Sequence, residues 1–291
     1  MIGWLIYDEK GAKRNEWFIN ELILEGKKLG IEIVLKIFSK SLNEFKKPLP
    51  DFVIVRVIEP KVNAFFEKRN IQSFNNYKTS LIANSKWNTF KTCEKLNIQT
   101  MKTLLINKNS KRKLDFPFVV KSLDGHGGEE VFLIKNQKEF SSFNFEKEKY
   151  ICQEFCSCPG KDMRVYVLGG KIIAGILRTS KTDFRSNFSL GGSVKKTRVN
   201  KEQKSQIKKI YEHLKFDFVG IDFIYHNKKW VLNEIEDVVG SRMLYKTTGL
   251  NVASIYIKNI SKKVIKNDKQ GWKMLKKLKK MLKTKWKHLT F

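Results

Sequence analysis

At 291 residues, with 41% apolar and 12% aromatic side chains, the chain can bury a real core in two or three subdomains, which excludes an intrinsically disordered protein. Its 58 Lys and Arg against 29 Asp and Glu give a formal charge of +29, so an anionic partner is expected: a nucleotide, nucleic acid, acidic peptide or glycan, or an anionic membrane surface. No run approaches the length of a membrane span, and "MIGWLIYDEK" has no basic start and meets Asp8 early, so neither a spanning helix nor a secretory leader is expected.

The opening third alternates short apolar strands with helices. "IGWLIYD" (2–8), "IEIVLKIF" (31–38) and "DFVIVRVIE" (51–59) read as strands, and "NEWFINELILEGKKLG" (15–30) as a helix closed by Gly30. Pro60 starts a further helix that runs to about Arg69. This alternation predicts a parallel sheet with helices on its faces. Arg56 interrupts the third strand, as a salt-bridged structural group or as a ligand-binding one.

A helix over 84–96 follows, capped by Asn84 or Ser85. Then come the strands "NIQTMKTLLI" and "FPFVVKSL", a glycine loop "SLDGHGGEE" (122–130), and the strand "VFLIKN". "YICQEFC" (150–156) reads as a strand whose "QEFC" (153–156) has the look of an edge, and 162–180 as a hairpin turning at Gly169-Gly170. The loop "KTDFRSNFSLGGSVKK", a polar amphipathic helix over 201–215, a second hairpin over 216–238 and a helix from about Leu250 to Ile260 complete the body. The expected divisions are 1–83, 84–150, 151–260 and a tail, 261–291.

That tail has nine lysines and no acid between Lys269 and Lys287, with Trp272, Leu275, Leu278, Leu282, Trp286 and Leu289 forming one helical stripe. It reads as a helix docked on the body, as a basic interfacial helix for an anionic membrane surface, or as a site for an acidic macromolecule. The location is accordingly cytoplasmic, peripheral at the inner membrane surface if the tail binds there. Cys152, Cys156 and Cys158 lack a fourth ligand at helpful spacing, so reduced thiols are expected there rather than a metal site.

The second hairpin carries the chemistry. Its strands, "VGIDFIY" and "WVLNEIE", hold Asp222, Glu234 and Glu236. A three-residue loop, Asn227-Lys228-Lys229, would set Asp222 opposite Glu234 and put all three acids on one face; a two-residue turn would pair Asp222 with Asn233 and scatter them. Carboxylates clustered in this way call for hard divalent cations, which carry nucleotide phosphates. The plainer alternative is an acidic edge paired with lysines. Lys121 ends a buried strand before the glycine loop, where Gly125, Gly127 and Gly128 would let backbone N–H groups approach phosphate oxygens. Gln153, Glu154 and Phe155 lie where an adenine could be read, and Arg178, Arg185 and Asn187 suit phosphate or carboxylate.

In their order, "NSKWNTFKTCEKLNIQT", "FPFVVKSLDGHGGEEVFLI", "QEFCSCPGKDMRVYVLGGKIIAGILRTSKTDFRSNFSLGG", "VGIDFIYHNKKWVLNEIE" and "TTGLNVA" resemble the ATP-grasp superfamily, most closely the RimK-type carboxylate–amine ligases. The resemblance covers about residues 50–260 and implies an α/β (α+β) fold: a parallel pre-ATP-grasp domain, then two mixed subdomains clamping ATP. Carried over by position, it implies that Lys86 and Lys121 hold phosphates, Glu154 and Phe155 flank adenine, and Asp162 and Arg164 lie near ribose and substrate. It further implies that Arg178, Arg185 and Asn187 face the phosphates or activated carboxylate, and that Asp222 and Glu234 hold magnesium.

Two departures stand out. Glu236 replaces the usual Asn ligand, which suits two Mg2+ ions, with Mn2+ as an alternative. "DVVGSRMLY", with Arg242, replaces Asn-x-x-Pro-Gly, so the substrate cannot be copied across. The implied activity is an ADP-forming ligation of an amino acid, peptide or glycan-linked carboxylate to an amine. The rival readings are a kinase acting on a hydroxyl, and a binder of nucleic acid or acidic polymer with a vestigial ATP site. No separate nucleic-acid motif accompanies the charge.

Overall fold

The computed structural model describes residues 1–111, 114–125, 130–146, 148–185 and 192–267. Gly127, Gly128, Asn187 and the tail stripe from Trp272 onward therefore lie outside the described residues. Three sheets organise the rest.

The first sheet has the order β2-β1-β3-β4, from β1 (Ile2–Tyr7), β2 (Glu32–Ile37), β3 (Phe52–Val55) and β4 (Gln72–Phe74), all parallel. Strands β1 and β3 are buried on both faces, which is why they read as unbroken apolar runs. The short strand β4 carries too few apolar residues to show in the sequence. Asp8 accepts a hydrogen bond from Gly11 N at 2.6 Å and starts α1 (Glu9–Arg14). The helix expected over 15–30 is thus α2 (Glu16–Lys28), preceded by a short helix that ends at Asn15. Helices α3 (Pro60–Glu67), with Pro60 at its first position, and α4 (Tyr77–Ala83) lead into the next unit.

Helix α5 (Lys86–Lys95) is capped by Ser85, whose side chain accepts from Asn88 N. The second sheet is antiparallel, in the order β5-β8-β6-β7, from β5 (Thr103–Ile106), β6 (Phe118–Ser122), β7 (Val131–Ile134) and β8 (Tyr150–Glu154). Strand β8 lies between β5 and β6, so it is not the edge strand its sequence suggested. A core of Phe118, Val120, Phe140 and Tyr150, with Phe140 on α6 (Gln137–Ser141), fills this unit.

The third sheet has the order β11-β10-β9-β12-β13, from β9 (Lys161–Leu168), β10 (Lys171–Thr179), β11 (Ser193–Thr197), β12 (Phe218–His226) and β13 (Lys229–Glu236). Gly169 and Gly170, at φ 56° and 80°, make the β9–β10 turn, a conformation that favours glycine. Helix α7 (Lys201–Leu214), opened by an Asn200/Gln203 capping box, covers one face of this sheet through Ile207 and Ile210. The other face packs through Tyr166, Ile176 and Phe218 on α8 (Arg242–Thr248), on α9 (Val252–Asn267) and on the first sheet's Leu5 and α2's Phe18. Helix α9 extends beyond the expected end at Ile260. No described helix is long and apolar enough to cross a membrane.

Candidate active site

The β12–β13 hairpin brings the acids together by an unexpected route. Its turn is two residues long, not three: His226 pairs with Lys229, and Asn227 and Lys228 take φ 45° and 64°. Such a turn alone would pair Asp222 with Asn233. A β-bulge intervenes, because Phe223 faces Leu232 while Asp222 faces Glu234. Asn233 is the extra residue. The bulge restores the register that aligns the acids, and oxygens of Asp222, Glu234 and Glu236 lie within 4.8 Å of one another.

The cations nearest these acids are guanidinium groups. Strand β9 places Arg164 beside Asp222, and β10 places Arg178 beside Asp162. Arg164 donates to both oxygens of Asp222 at 2.7 Å and also to Glu236. Arg178 donates to Asp162 at 2.6 and 2.7 Å and to Asp222 at 2.7 Å. Asp222 is 1% exposed and Arg178 3%. Burial would raise the Asp222 carboxyl, but the two arginines outweigh it and hold it below the usual carboxylate range. Burial pushes Glu236 up, against the pull of Arg164, and the charges of Asp222 and Glu234 add to the rise. Asp162 and Arg164 thus take part in an ion network with the acids.

Lys121, at the end of β6, donates from Nζ to Gln153 Oε1 at 2.6 Å and to Asn233 Oδ1 at 3.2 Å. Burial lowers it to about 8, with Glu234 opposing the shift. Lys86, the first residue of α5, bonds through Nζ to the Gly125 carbonyl, and its own N–H donates to Leu123 O at 2.9 Å. The Glu154 backbone N–H donates to Lys102 O, and its side chain accepts from Lys102 N at 2.6 Å, so Glu154 Oε1 is engaged in holding the chain. The best candidate for orienting an acyl group, Arg185, is forked by Asp183, with Nη2 to Oδ2 at 2.7 Å.

These groups converge on one cleft with a cavity volume of about 100 Å³. Lys86, Lys121, Gly125, Gln153, Glu154, Phe155, Asp162, Arg178, Arg185 and Glu234 line it, while Asp222, Arg164 and Glu236 join it through the ion network. Arg56 is not among the lining residues. It is buried, donating to Val239 O at 2.7 Å, and takes the structural role. Arg242 is exposed at the start of α8. Several lining residues escaped the sequence reading. Asn233 needed knowledge of the bulge. Lys161, which lies over the Tyr225 ring at 4.6 Å, and Phe184, 5.9 Å from Phe155, carried no motif. The apolar walls Met101, Val119, Val131 and Ile224 look in sequence like any core residue.

The fold is that of an ATP-grasp protein. The chain belongs to the RimK-like ATP-grasp family, whose domain model matches residues 83–260. It is 31% identical over 268 residues to "Uncharacterized protein MG011" of Mycoplasma genitalium, covering 89% of this chain and 92% of that protein. It is 24% identical over 269 residues to the alpha-aminoadipate--LysW ligase LysX of Sulfurisphaera tokodaii, covering 84% and 94%. Among solved structures, D-alanine--D-alanine ligase from Bacillus anthracis complexed with ATP superposes with a TM-score of 0.72 at 19% identity, covering 93% of this chain and 99% of that one.

Proposed function

We propose that this protein joins a carboxylate to an amine with cleavage of ATP to ADP and phosphate. The nucleotide lies between the segments 84–150 and 151–260, with 1–83 completing the body. A carboxylate oxygen of the substrate attacks the γ-phosphorus, the bond to the β–γ bridging oxygen breaks, and ADP leaves. The amine then attacks the acyl carbon, phosphate departs with the bonding pair, and the amine's proton passes to solvent. Lys86 and Lys121 hold phosphate oxygens, and Arg178 and Arg185 face the transferring group. No protein nucleophile is needed.

The donor set fits a divalent cation: three carboxylates, all oxygen, with ligand atoms within 4.8 Å. Asp222, Glu234 and Glu236 would hold Mg2+, which would neutralise phosphate charge when bound. Arg164 occupies oxygens of Asp222 and Glu236, so these two carboxylates would give up guanidinium contacts to hold a metal. A substrate with an amino acid or peptide carboxylate, joined to an amine, is supported by the similarity to an alpha-aminoadipate--LysW ligase and to a probable alpha-L-glutamate ligase.

The observation that carries this reading is that Glu234, one of three clustered carboxylates, lines one cleft with Lys121 and Lys86. The test is substrate-dependent ADP release, screened with amino acids and acidic peptides. Asp222→Asn and Glu234→Gln should each lower the rate by at least about a hundredfold while circular dichroism stays unchanged. Full activity in either variant would remove the metal assignment. A stable phosphorylated product, formed with no amine present, would point instead to transfer onto a hydroxyl.

A further inference from the structure

The segment that replaces the family's Asn-x-x-Pro-Gly begins at Asp237, directly after the last carboxylate of the triad. Side chains alternate along a strand, so Glu234, which lines the cleft, and Glu236 share one face while Ile235 packs the opposite way, in a core with Ala83 and Cys93. Asp237 follows Ile235 to that side and is 2% exposed. A buried carboxylate survives only with donors around it. Asn75 Nδ2 donates to it at 2.5 Å and Asn84 Nδ2 at 3.3 Å, and the Ser80 hydroxyl is a third donor.

Ser80 stands on α4, Asn84 is its C-cap, and Asn75 lies between β4 and the α4 N-cap Asn76. Asn75 also donates to Phe218 O at 2.9 Å and accepts from Phe218 N at 2.9 Å, so it grips the start of β12 and the end of β13 together. Asn84 ends α4; Ser85 then caps α5, and Lys86 is the first residue of α5. One carboxylate therefore ties the strand that bears Glu234 and Glu236 to the helix pair that presents Lys86. Arg56 reinforces the tie from the first sheet through Val239 O.

We propose that Asp237 is a positioning residue for phosphate handling. It sets the triad's strand in register with the helix that carries Lys86, and the interdomain helix α4 is the frame for both. The inference rests on the ligase reading above. It assigns a function to a segment where this chain departs from its family, and Asp237 itself touches no substrate.

The test uses the full chain, with Mn2+ as the metal probe in the presence of ADP, read by electron paramagnetic resonance. Asp237→Asn keeps the shape but turns one acceptor oxygen into a donor facing Asn84. Its Mn2+ dissociation constant should rise about tenfold or more, the scale on which groups that orient metal ligands act. An unchanged Mn2+ affinity beside a lowered melting temperature would overturn the proposal, because a merely structural role moves only the second. Should Asp237→Asn fail to fold, Asn84→Ala removes a single donor and leaves the carboxylate in place. It should weaken Mn2+ in the same direction, and unchanged affinity there would likewise overturn the idea. Wild-type protein that binds no Mn2+ with ADP would overturn the ligase reading itself, and this inference with it.

Discussion

Lys121 holds its proton less firmly than an exposed lysine does. The residue is 8% exposed, and burial brings it from 10.5 down to about 8 despite the pull of Glu234. The consequence for binding has a definite sign. Above about pH 8 the free protein loses the charge that would meet a phosphate, so ATP affinity should fall by about tenfold between pH 7 and pH 9. Calorimetric titration of wild type against Lys121→Met checks this, since the variant should bind more weakly but with a flat profile over that interval. The consequence for stability runs the other way. Between about 8 and 10.5 the unfolded chain holds a proton that the folded chain has lost, so this group's contribution to stability rises with pH through that window.

At the scale of elements, the β12–β13 hairpin shows how local chemistry and long-range pairing divide the work. Asn227 and Lys228 both have positive φ, and only the first is a residue that tolerates this well. Lys228→Gly should relieve about 1–2 kcal/mol of left-handed strain, less about 0.5–1 kcal/mol of added chain entropy. The net gain, about 0.5–1 kcal/mol, should appear as a rise of roughly 2 °C in melting temperature, with ADP release unaffected because the turn lies at the far end of the strands from Asp222 and Glu234. The bulge at Asn233 then does two jobs. It aligns the acids, and it sends an additional amide toward the cleft, where Lys121 uses it.

At the scale of the whole molecule, the cleft draws on the second and third sheets, while the first sheet is fused to the third through a shared core that runs from Leu5 and Phe18 to Tyr166, Phe218 and Tyr256. Binding a nucleotide across two units should couple their stabilities. Ligand at a hundred times its dissociation constant adds about 2.7 kcal/mol to the folded state. Mg2+ with ATP at that ratio should therefore raise the melting temperature of wild type by several degrees in differential scanning calorimetry. Asp222→Asn, examined at the same concentrations, should lose most of the magnesium-dependent part of that rise and keep the magnesium-independent part.

Much of this architecture was legible in the chain because it depends on neighbours in sequence. Apolar runs marked the buried strands, Pro60 marked one helix start and Asn84 or Ser85 another, Gly169-Gly170 marked a turn, and the ordered motifs indicated the family. What remained hidden depends on contacts between residues far apart. The position of β8 inside its sheet, the bulge at Asn233, the hold of Asp183 on Arg185 and the donors around Asp237 leave no periodic trace. The sequence by itself determined which residue types were available and which segments would be strands or helices, since propensity and alternation act over a few residues. Only the tertiary structure decided that Arg164 and Arg178 would be cations beside the clustered acids, because pairing of strands distant in sequence sets β9 next to β12 and β10 next to β9, from where Arg178 reaches Asp222.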